Sequence, residues 1–156
     1  MIPYVLSTLA LLGLALLLGA TLYESVVMAP NYGRDIPASI DLARQFLKRT
    51  TPAHFFRLIT PVTQLLLLAG LVASWQVAAA GWRLLTALGI LVFIDVITFM
   101  FHYPRLAILF KDPMPEDPAR LGRAAREWEL GNIARVALLA VAFLSALGAV
   151  TTLANH

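Results

Sequence analysis

Several ionisable or amide side chains lie inside the long apolar stretches of this sequence, where polar groups usually serve a function. Asp95 lies within the apolar run 82–103, and His102 follows seven residues later, on the same face of a helix. Asn132 and Arg135 are three residues apart in another apolar run, so a helix presents them together. A carboxylate or an imidazole can act as a base, and amide and guanidinium groups can stabilise an anion. We therefore predict Asp95, His102, Asn132 and Arg135 as the catalytic residues.

A second set of polar residues is predicted at the same depth and is expected to bind the substrate. Glu24 lies roughly one turn, or 5.4 Å, from the end of the first apolar run. An unpaired carboxylate in hydrocarbon is protonated or attracts a cation, and Arg135 is a natural counter-ion for Asp95. The predicted substrate-binding residues are Glu24, His54, Arg57, Gln64 and Trp128.

The composition predicts an integral membrane protein. The chain of 156 residues is 60% hydrophobic and 13% charged, whereas soluble proteins contain roughly 25% charged residues. The absence of cysteine excludes disulfides, thiolate nucleophiles and Cys-ligated metal centres. The net charge of +3 does not indicate nucleic-acid binding, because basic residues of membrane proteins usually mark the cytoplasmic loops. The length predicts a single domain over residues 1–156.

Four apolar runs are long enough to cross a bilayer, which takes roughly 20 residues each. The breakers at Ala29-Pro30, the tight turn expected at Gly81 and the proline at 104 delimit the first three runs. The fourth helix is entered at Asp117-Pro118 and is expected to begin outside the membrane. We predict an all-α, four-helix membrane bundle with spans at about 3–28, 52–80, 82–103 and 130–153.

The two long loops are predicted to be cytoplasmic. Ten of the twelve Lys and Arg residues lie in or beside them, the exceptions being Arg83 and Arg135. The positive-inside rule then places both termini on the other side, which is the periplasm if the membrane is a bacterial inner membrane. Within the first loop, residues 39–49 form an amphipathic pattern, with Leu42, Ala43, Phe46 and Leu47 on one stripe. We expect a short interfacial helix there.

This topology brings the polar residues together. Spans one and three end, and spans two and four begin, on the side of the two long loops, so all four contribute polar residues to one leaflet. The opposite half is built from Leu, Ala, Val and Gly, and small residues such as Ala142, Ala146 and Ala149 let helices approach closely. We predict a polar cavity that is open towards the cytoplasm and closed on the far side.

Structural and metal-binding interpretations of the same residues stay open. Asp95 and Arg135 could form an ion pair that only fixes helix register. His54 and His102 could be hydrogen-bonded histidines at the membrane interface. A metal site formed by Glu24, His54 and His102, or a haem held by the two histidines, is less favoured, because these residues lie on different helices without a tight motif. We predict neither a metal nor a cofactor.

Two short stretches carry a resemblance to a known family. They are Tyr-Glu-Ser-Val-Val-Met-Ala-Pro-Asn-Tyr at 23–32 and Glu-Trp-Glu-Leu-Gly-Asn-Ile-Ala-Arg at 127–135. Both resemble the signatures of small four-span membrane proteins named for their similarity to fungal anthrone oxygenases. The resemblance implies oxidation of an anthrone-type aromatic to a quinone by molecular oxygen, without metal or flavin. It makes Trp128, Asn132 and Arg135 the counterparts of the family's residues. This chain departs from the family at Gly131, often an aromatic, and at Ile133, often a histidine.

Two functions are therefore carried forward. The first is a membrane protein whose cavity binds a hydrophobic aromatic or quinone-like molecule and acts as a cofactor-free oxygenase. The second is a non-catalytic membrane subunit or lipid-binding protein whose intramembrane polar groups are structural. Membrane lipid is an expected partner in both, and assembly into a homo-oligomer or a larger membrane complex is left open.

Overall fold

The computed structural model describes residues 1–111 and 117–156, and the described chain is helical throughout its regular structure. Two short π-helical turns interrupt the α-helices, at Glu24–Met28 (the first π-turn) and Thr98–His102 (the second π-turn). The α-helices are α1 Ile2–Tyr23, α2 Ala29–Tyr32, α3 Ala38–Phe46, α4 Pro52–Ala73, α5 Ala78–Ile97, α6 Tyr103–Phe110 and α7 Pro118–Ala154.

Four continuous helical stretches are long and apolar enough to cross a membrane, which confirms the predicted integral membrane bundle. They are span one, Ile2–Tyr32; span two, Pro52–Ala73; span three, Ala78–Phe110; and span four, Pro118–Ala154. Below, the loop side is the end of the bundle at which spans two and four begin, and the far side is the opposite end. Span four has 37 residues and so measures about 55 Å, longer than a hydrocarbon core of about 30 Å. Its predicted start beyond the apolar region is confirmed.

The predicted ends of spans one and three are wrong, because both helices continue through a proline. A proline ring in a helix collides with the carbonyl four residues earlier, which is Val26 for Pro30 and Met100 for Pro104. Both carbonyls belong to π-turns, in which the N–H groups of Ala29 and Tyr103 bond to residues five positions back. The wider turn accommodates the ring, so the helix extends to Tyr32 and to Phe110.

The turn between spans two and three also lies elsewhere than predicted. Span two ends at Ala73 rather than near residue 80, and Gly81 lies inside α5. Ser74 closes the turn: its hydroxyl donates to the carbonyl of Leu71, and its own carbonyl accepts from the Val77 N–H. A side-chain cap of this kind ends a helix without a glycine.

The predicted amphipathic helix is present as α3. It turns Ile40 and Ala43 towards the protein and leaves Leu42 and Phe46 exposed. The single apolar stripe expected from the sequence is therefore divided between the two faces. Exposed apolar side chains beside basic residues are typical of a helix at the membrane surface.

The helices pack most tightly towards the far side. Span one lies against spans two and four, and α5 lies against spans two and four. Ala142, Ala146 and Ala149 are fully buried there, as predicted for close helix packing. Nη1 of Arg83 donates to the carbonyl of Gly148 at 2.6 Å and to the Thr152 hydroxyl, which ties α5 to α7.

We expect replacement of Gly13 by alanine to destabilise the protein, because the new methyl group would collide with Thr63 across the contact between α1 and α4. Overpacking of this kind costs about 1–3 kcal/mol. Gly19→Ala in the same helix is the matched control, since nothing lies within 4 Å of its new Cβ. The control should be neutral or stabilising by up to about 1 kcal/mol. Thermal unfolding in detergent, followed by circular dichroism, compares them, and equal melting temperatures would contradict the close approach.

Candidate functional site

A cavity of about 740 Å³ lies in the loop-side half of the bundle. Spans two and three are joined by the short turn at the far side and diverge from there. Among the described residues, α4 packs closely against α5 but not against the second π-turn or α6, and the cavity occupies the space between them. It runs along α4 from Thr51 to Gln64, a rise of about 20 Å.

The cavity brings together seven of the nine predicted site residues from all four spans. Its lining includes Glu24, Arg57, Gln64, Asp95, His102, Trp128 and Arg135. Apolar side chains, among them Phe56, Ile94 and Phe99, form much of the remaining wall. His54 and Asn132 are not part of the lining.

The inner end of the cavity is polar because side chains of different spans meet there. Nε2 of Gln64 donates to Oδ2 of Asp95 at 2.6 Å, which links spans two and three. Arg135 is buried, and its Nη1 donates to Oδ1 of Asn132 at 3.2 Å. Both Glu24 and Asp95 interact electrostatically with the Arg135 guanidinium. We call Glu24, Gln64, Asp95, Asn132 and Arg135 the polar level.

Asp95 and Arg135 interact electrostatically, as expected of counter-ions, but they do not form a direct ion pair in the described part of the chain. Among the described residues, Arg105 pairs with Glu127 and Arg123 pairs with Asp117, both near the loop side. Gln64 already donates to the Asp95 carboxylate from the neighbouring span. The Arg135 guanidinium instead lies over the Phe56 ring, 5.1 Å from its centre. It acts on the two carboxylates at longer range, within a shared cavity.

The two π-turns place the acid and the imidazole of the site. Glu24 is the first residue of the first π-turn, and His102 is the last residue of the second. Each π-turn inserts one residue into a helical turn, which rotates the following side chains relative to the preceding ones. Both side chains are buried and line the cavity. These turns were not predicted from the sequence, although in both spans a proline lies six residues after the first residue of the π-turn.

His102 fits against the bundle because residue 131 is glycine. A Cβ on Gly131 would lie 2.9 Å from both Cε1 and Nε2 of the His102 ring and 2.9 Å from Phe101. His102 is 1% exposed, and neither of its ring nitrogens makes a hydrogen bond of good geometry within 1–111 and 117–156, although Asn132 lies beside the ring. The departure from the family pattern at Gly131 is thus coupled to the position of His102.

Two buried donors lie near the His102 ring, which interacts with the Asn132 side chain and the Ile97 backbone. Nδ2 of Asn132 and Nε of Arg135 also lack a hydrogen-bond partner among the described residues. Buried polar groups in proteins are nearly always hydrogen-bonded, to protein, water or ligand. Of these three residues, His102 and Arg135 line the cavity, and an imidazole and a guanidinium there can bind an oxygen atom that carries negative charge and can exchange a proton with it.

His54 caps the N-terminal end of α4. It is exposed at the start of α4, where the backbone N–H of Thr51 donates to its Nδ1 at 3.1 Å. This reciprocal contact with Thr51 forms a capping box. Glu24, His54 and His102 are therefore not gathered as metal ligands, and no group of three His, Asp or Glu residues within 1–111 and 117–156 is arranged to hold a metal ion.

Trp128 belongs to an aromatic cluster at the loop side of the cavity. Its ring centre lies 5.5 Å from that of Tyr32, which in turn lies 5.5 Å from that of Phe110. These residues belong to a second core, which α2, α3, α6 and the first half of α7 build beyond the polar level. The exposed arginines of α7 lie on its opposite face.

Comparisons of the chain with protein-family models, with curated proteins and with solved structures found no match. The site is accordingly interpreted from its geometry.

Replacing Gly131 with alanine should displace the His102 ring, because the new methyl group would lie 2.9 Å from ring atoms. Gly122→Ala in the same helix is the control, since its Cβ would meet only Cδ1 of Ile36 at 4.0 Å. We expect the imidazole NMR signals of His102 to shift in the first variant and to stay in place in the second. Unchanged His102 signals in Gly131→Ala would contradict the contact.

Replacing Gln64 with leucine should destabilise the bundle, because Asp95 loses the amide that donates to it. Leaving a buried polar group without its partner costs about 1–3 kcal/mol. Asp95→Asn keeps an oxygen acceptor for Gln64, so its loss of stability should be smaller. Unfolding of both variants in detergent measures the difference, and a larger loss in Asp95→Asn would show that the carboxylate's charge matters more than this hydrogen bond.

Proposed function

We propose that the cavity binds a hydrophobic aromatic or quinone-like molecule, with one of its oxygen atoms at the polar level. The observation that carries this proposal is that His102 and Arg135 are buried, line a cavity of about 740 Å³ and, like the neighbouring Asn132, have nitrogen atoms without a hydrogen bond of good geometry among the described residues. Sites for small molecules typically measure about 300–1,000 Å³ and combine apolar walls with a few polar groups. A phenolate or quinone oxygen is an acceptor that these donors lack.

The walls suit a flat, apolar ligand. Phe56 and Phe99 line the cavity from spans two and three, so aromatic faces are available on both sides. Aromatic pairs add about 0.5–1.5 kcal/mol beyond the burial of their area. Phe99 is 64% exposed although it lines the cavity, and the exposed Pro61 lies opposite it on span two. A ligand dissolved in the membrane can therefore enter between these two spans.

The proposed chemistry is a cofactor-free oxygenation. Asp95, Glu24 or His102 removes a proton from a benzylic or phenolic position, and Arg135 stabilises the resulting anion. The electron-rich anion reduces dioxygen and forms a hydroperoxide at the same carbon, which then loses water. Overall a ring CH₂ group and O₂ give a ring carbonyl and H₂O, with no further reductant.

The resemblance to the anthrone-oxygenase-like family supports the same proposal. Its two stretches, 23–32 and 127–135, contribute Glu24, Trp128 and Arg135 to the cavity lining. The family's frequent histidine is isoleucine at position 133, and in our proposal His102 of span three supplies the imidazole instead. We further propose, from the basic residues of the two loops, that the cavity opens towards the cytoplasm of a bacterial cell, with both termini in the periplasm.

A non-catalytic role is the rival proposal, and the hydrogen bond between Gln64 and Asp95 favours it, because it shows that intramembrane polar groups also join the helices. Binding without turnover would support this lipid-binding or subunit role.

Fluorescence of Trp128 offers a direct test, because quinones quench a tryptophan that they approach. The chain has three tryptophans, and Trp75 and Trp82 are exposed at the far side. In a Trp75→Phe/Trp82→Phe background, menadione and anthraquinone should quench Trp128 in a saturable way. Arg135→Leu and Arg135→Lys should weaken binding by about tenfold to a hundredfold, as expected for loss of a charge-assisted hydrogen bond of about 1.5–3 kcal/mol.

Arg105→Gln is the matched control, since Arg105 pairs with Glu127 and does not line the cavity. Oxygen consumption with anthrone as substrate should be retained in Arg105→Gln and lost in Arg135→Leu. Arg135→Lys guards against a folding defect, because it keeps the buried charge. Affinity unchanged in both Arg135 variants would remove Arg135 from the site, and quenching that does not saturate would refute the proposed function.

A further inference from the structure

The outer part of the cavity differs from the polar level in the charge of its lining residues. Four basic side chains line it: Arg44 of α3, Lys48 just after α3, Arg57 of α4 and Lys111 at the end of α6. We call Lys48, Arg57 and Lys111 the basic mouth. These three residues come from three separate segments of the chain and line the same cavity.

The acidic residues of the described lining lie deeper. Asp95 is bonded to Gln64, and Arg57 lies seven residues before Gln64 on the same helix, about 10 Å closer to the loop side. Lys111 lies sixteen residues after Asp95, about 24 Å along span three. No residue of the basic mouth forms an ion pair with any residue in 1–111 or 117–156. Within the described part of the chain, no carboxylate neutralises their positive charge, which can therefore attract an anion at the opening.

The charged and apolar regions of the cavity follow one another in the same order as those of an amphiphilic molecule. From the loop side inward, a ligand meets the basic mouth, then aromatic and aliphatic walls, then the polar level. An acidic amphiphile in a bilayer keeps its charged group at the headgroup level and its body in the hydrocarbon. A molecule that enters between Pro61 and Phe99 would therefore already have its acid group at the depth of the basic mouth.

We propose that the ligand of this cavity is an elongated apolar molecule bearing one carboxylate, held at its outer end by Lys48, Arg57 and Lys111. This inference rests on the proposed function and names the class of its ligand. Charge-assisted hydrogen bonds are roughly twice as strong as neutral ones, and the adjacent apolar walls strengthen them further. The cavity's length of about 20 Å along α4 leaves room for a fused-ring or single-chain body between the carboxylate and the polar level.

The test compares an acid with a neutral analogue of the same shape. Anthraquinone-2-carboxylate and 2-methylanthraquinone are titrated in neutral detergent against the chain that retains Trp128 as its sole tryptophan. We expect the acid to bind about tenfold more tightly, and added salt to reduce this preference. Lys48→Gln/Lys111→Gln should lower the affinity for the acid by about tenfold and leave the affinity for 2-methylanthraquinone unchanged. Arg57→Gln, tested separately, should lower the affinity for the acid by about tenfold more than it lowers the affinity for 2-methylanthraquinone.

Arg49→Gln/Arg120→Gln is the matched control, because it removes two exposed positive charges that do not line the cavity. This control should keep the preference for the acid. Equal affinities for the two anthraquinones in the parent chain would overturn the carboxylate proposal and leave the proposed function standing. Failure of both to bind would refute the proposed function itself. A preference that survives in both mouth variants would also overturn the proposal.

A competition experiment distinguishes a fatty acid from an aromatic acid as the ligand that supplies the carboxylate. Decanoate and 2-naphthoate are added to the complex with anthraquinone-2-carboxylate. Displacement by decanoate supports a fatty-acid ligand, and displacement by 2-naphthoate alone supports an aromatic acid. If neither acid restores Trp128 fluorescence, the mouth does not recognise carboxylates and the proposal fails.

Discussion

The architecture depends on the high free-energy cost of exposing charged side chains to hydrocarbon. Glu24, Asp95 and Arg135 lie on helices that cross the membrane, where a charge facing lipid costs several kcal/mol. The bundle avoids that cost by turning all three towards a common interior, where Gln64 and Asn132 provide hydrogen bonds. Because these groups remain solvated only in an open space, collecting them also requires a cavity. The polar level and the hollow beside it are therefore two consequences of one constraint.

The π-turns solve a geometrical problem that this constraint creates. In a regular α-helix from Ile2 to Tyr32, each residue is rotated about the axis by a fixed angle from the one before it. The residues that face the bundle at one end therefore determine which residues face it at the other end. The inserted residue at Glu24–Met28 changes that relation between the packed far-side half and the second core at Ala29 and Tyr32. The turn at Thr98–His102 does the same for span three. Each also relieves the clash of a proline with its helix, so one local distortion serves both packing and the site.

The sequence predicted what depends on composition and helical spacing. The four spans, the early start of span four, the amphipathic α3 and the placement of seven of the nine predicted site residues in the cavity follow from apolar run length and from three- and four-residue spacing. Features that depend on which of several neighbouring groups makes a contact were not predicted correctly. Proline was expected to end two helices, but the π-turns let them continue. Gly81 was expected to form a turn that Ser74 forms instead, and Asp95 was paired with Arg135 although Gln64 is nearer. Which of two suitable partners a buried group selects depends on the tertiary arrangement, which one-dimensional spacing does not contain.

The cavity persists because both of its ends are anchored. At the far side, the bonds of Arg83 to Gly148 and Thr152, and the bond from the Ser145 hydroxyl to the Arg83 carbonyl, fix α5 against α7. The close approach of Gly13 to Thr63 fixes span one against span two. At the loop side, Leu121 and Trp128 of α7 pack with Ile40 and Leu109, so α3 and α6 are held to span four rather than to span two. Span two can therefore not close onto span three without breaking one of these cores. Of the residues that make these contacts, Trp128 also lines the cavity, whereas Gly13, Thr63, Arg83, Ile40, Leu109 and Leu121 lie outside its walls. Much of the free energy that keeps the cavity open thus comes from residues that do not contact a ligand.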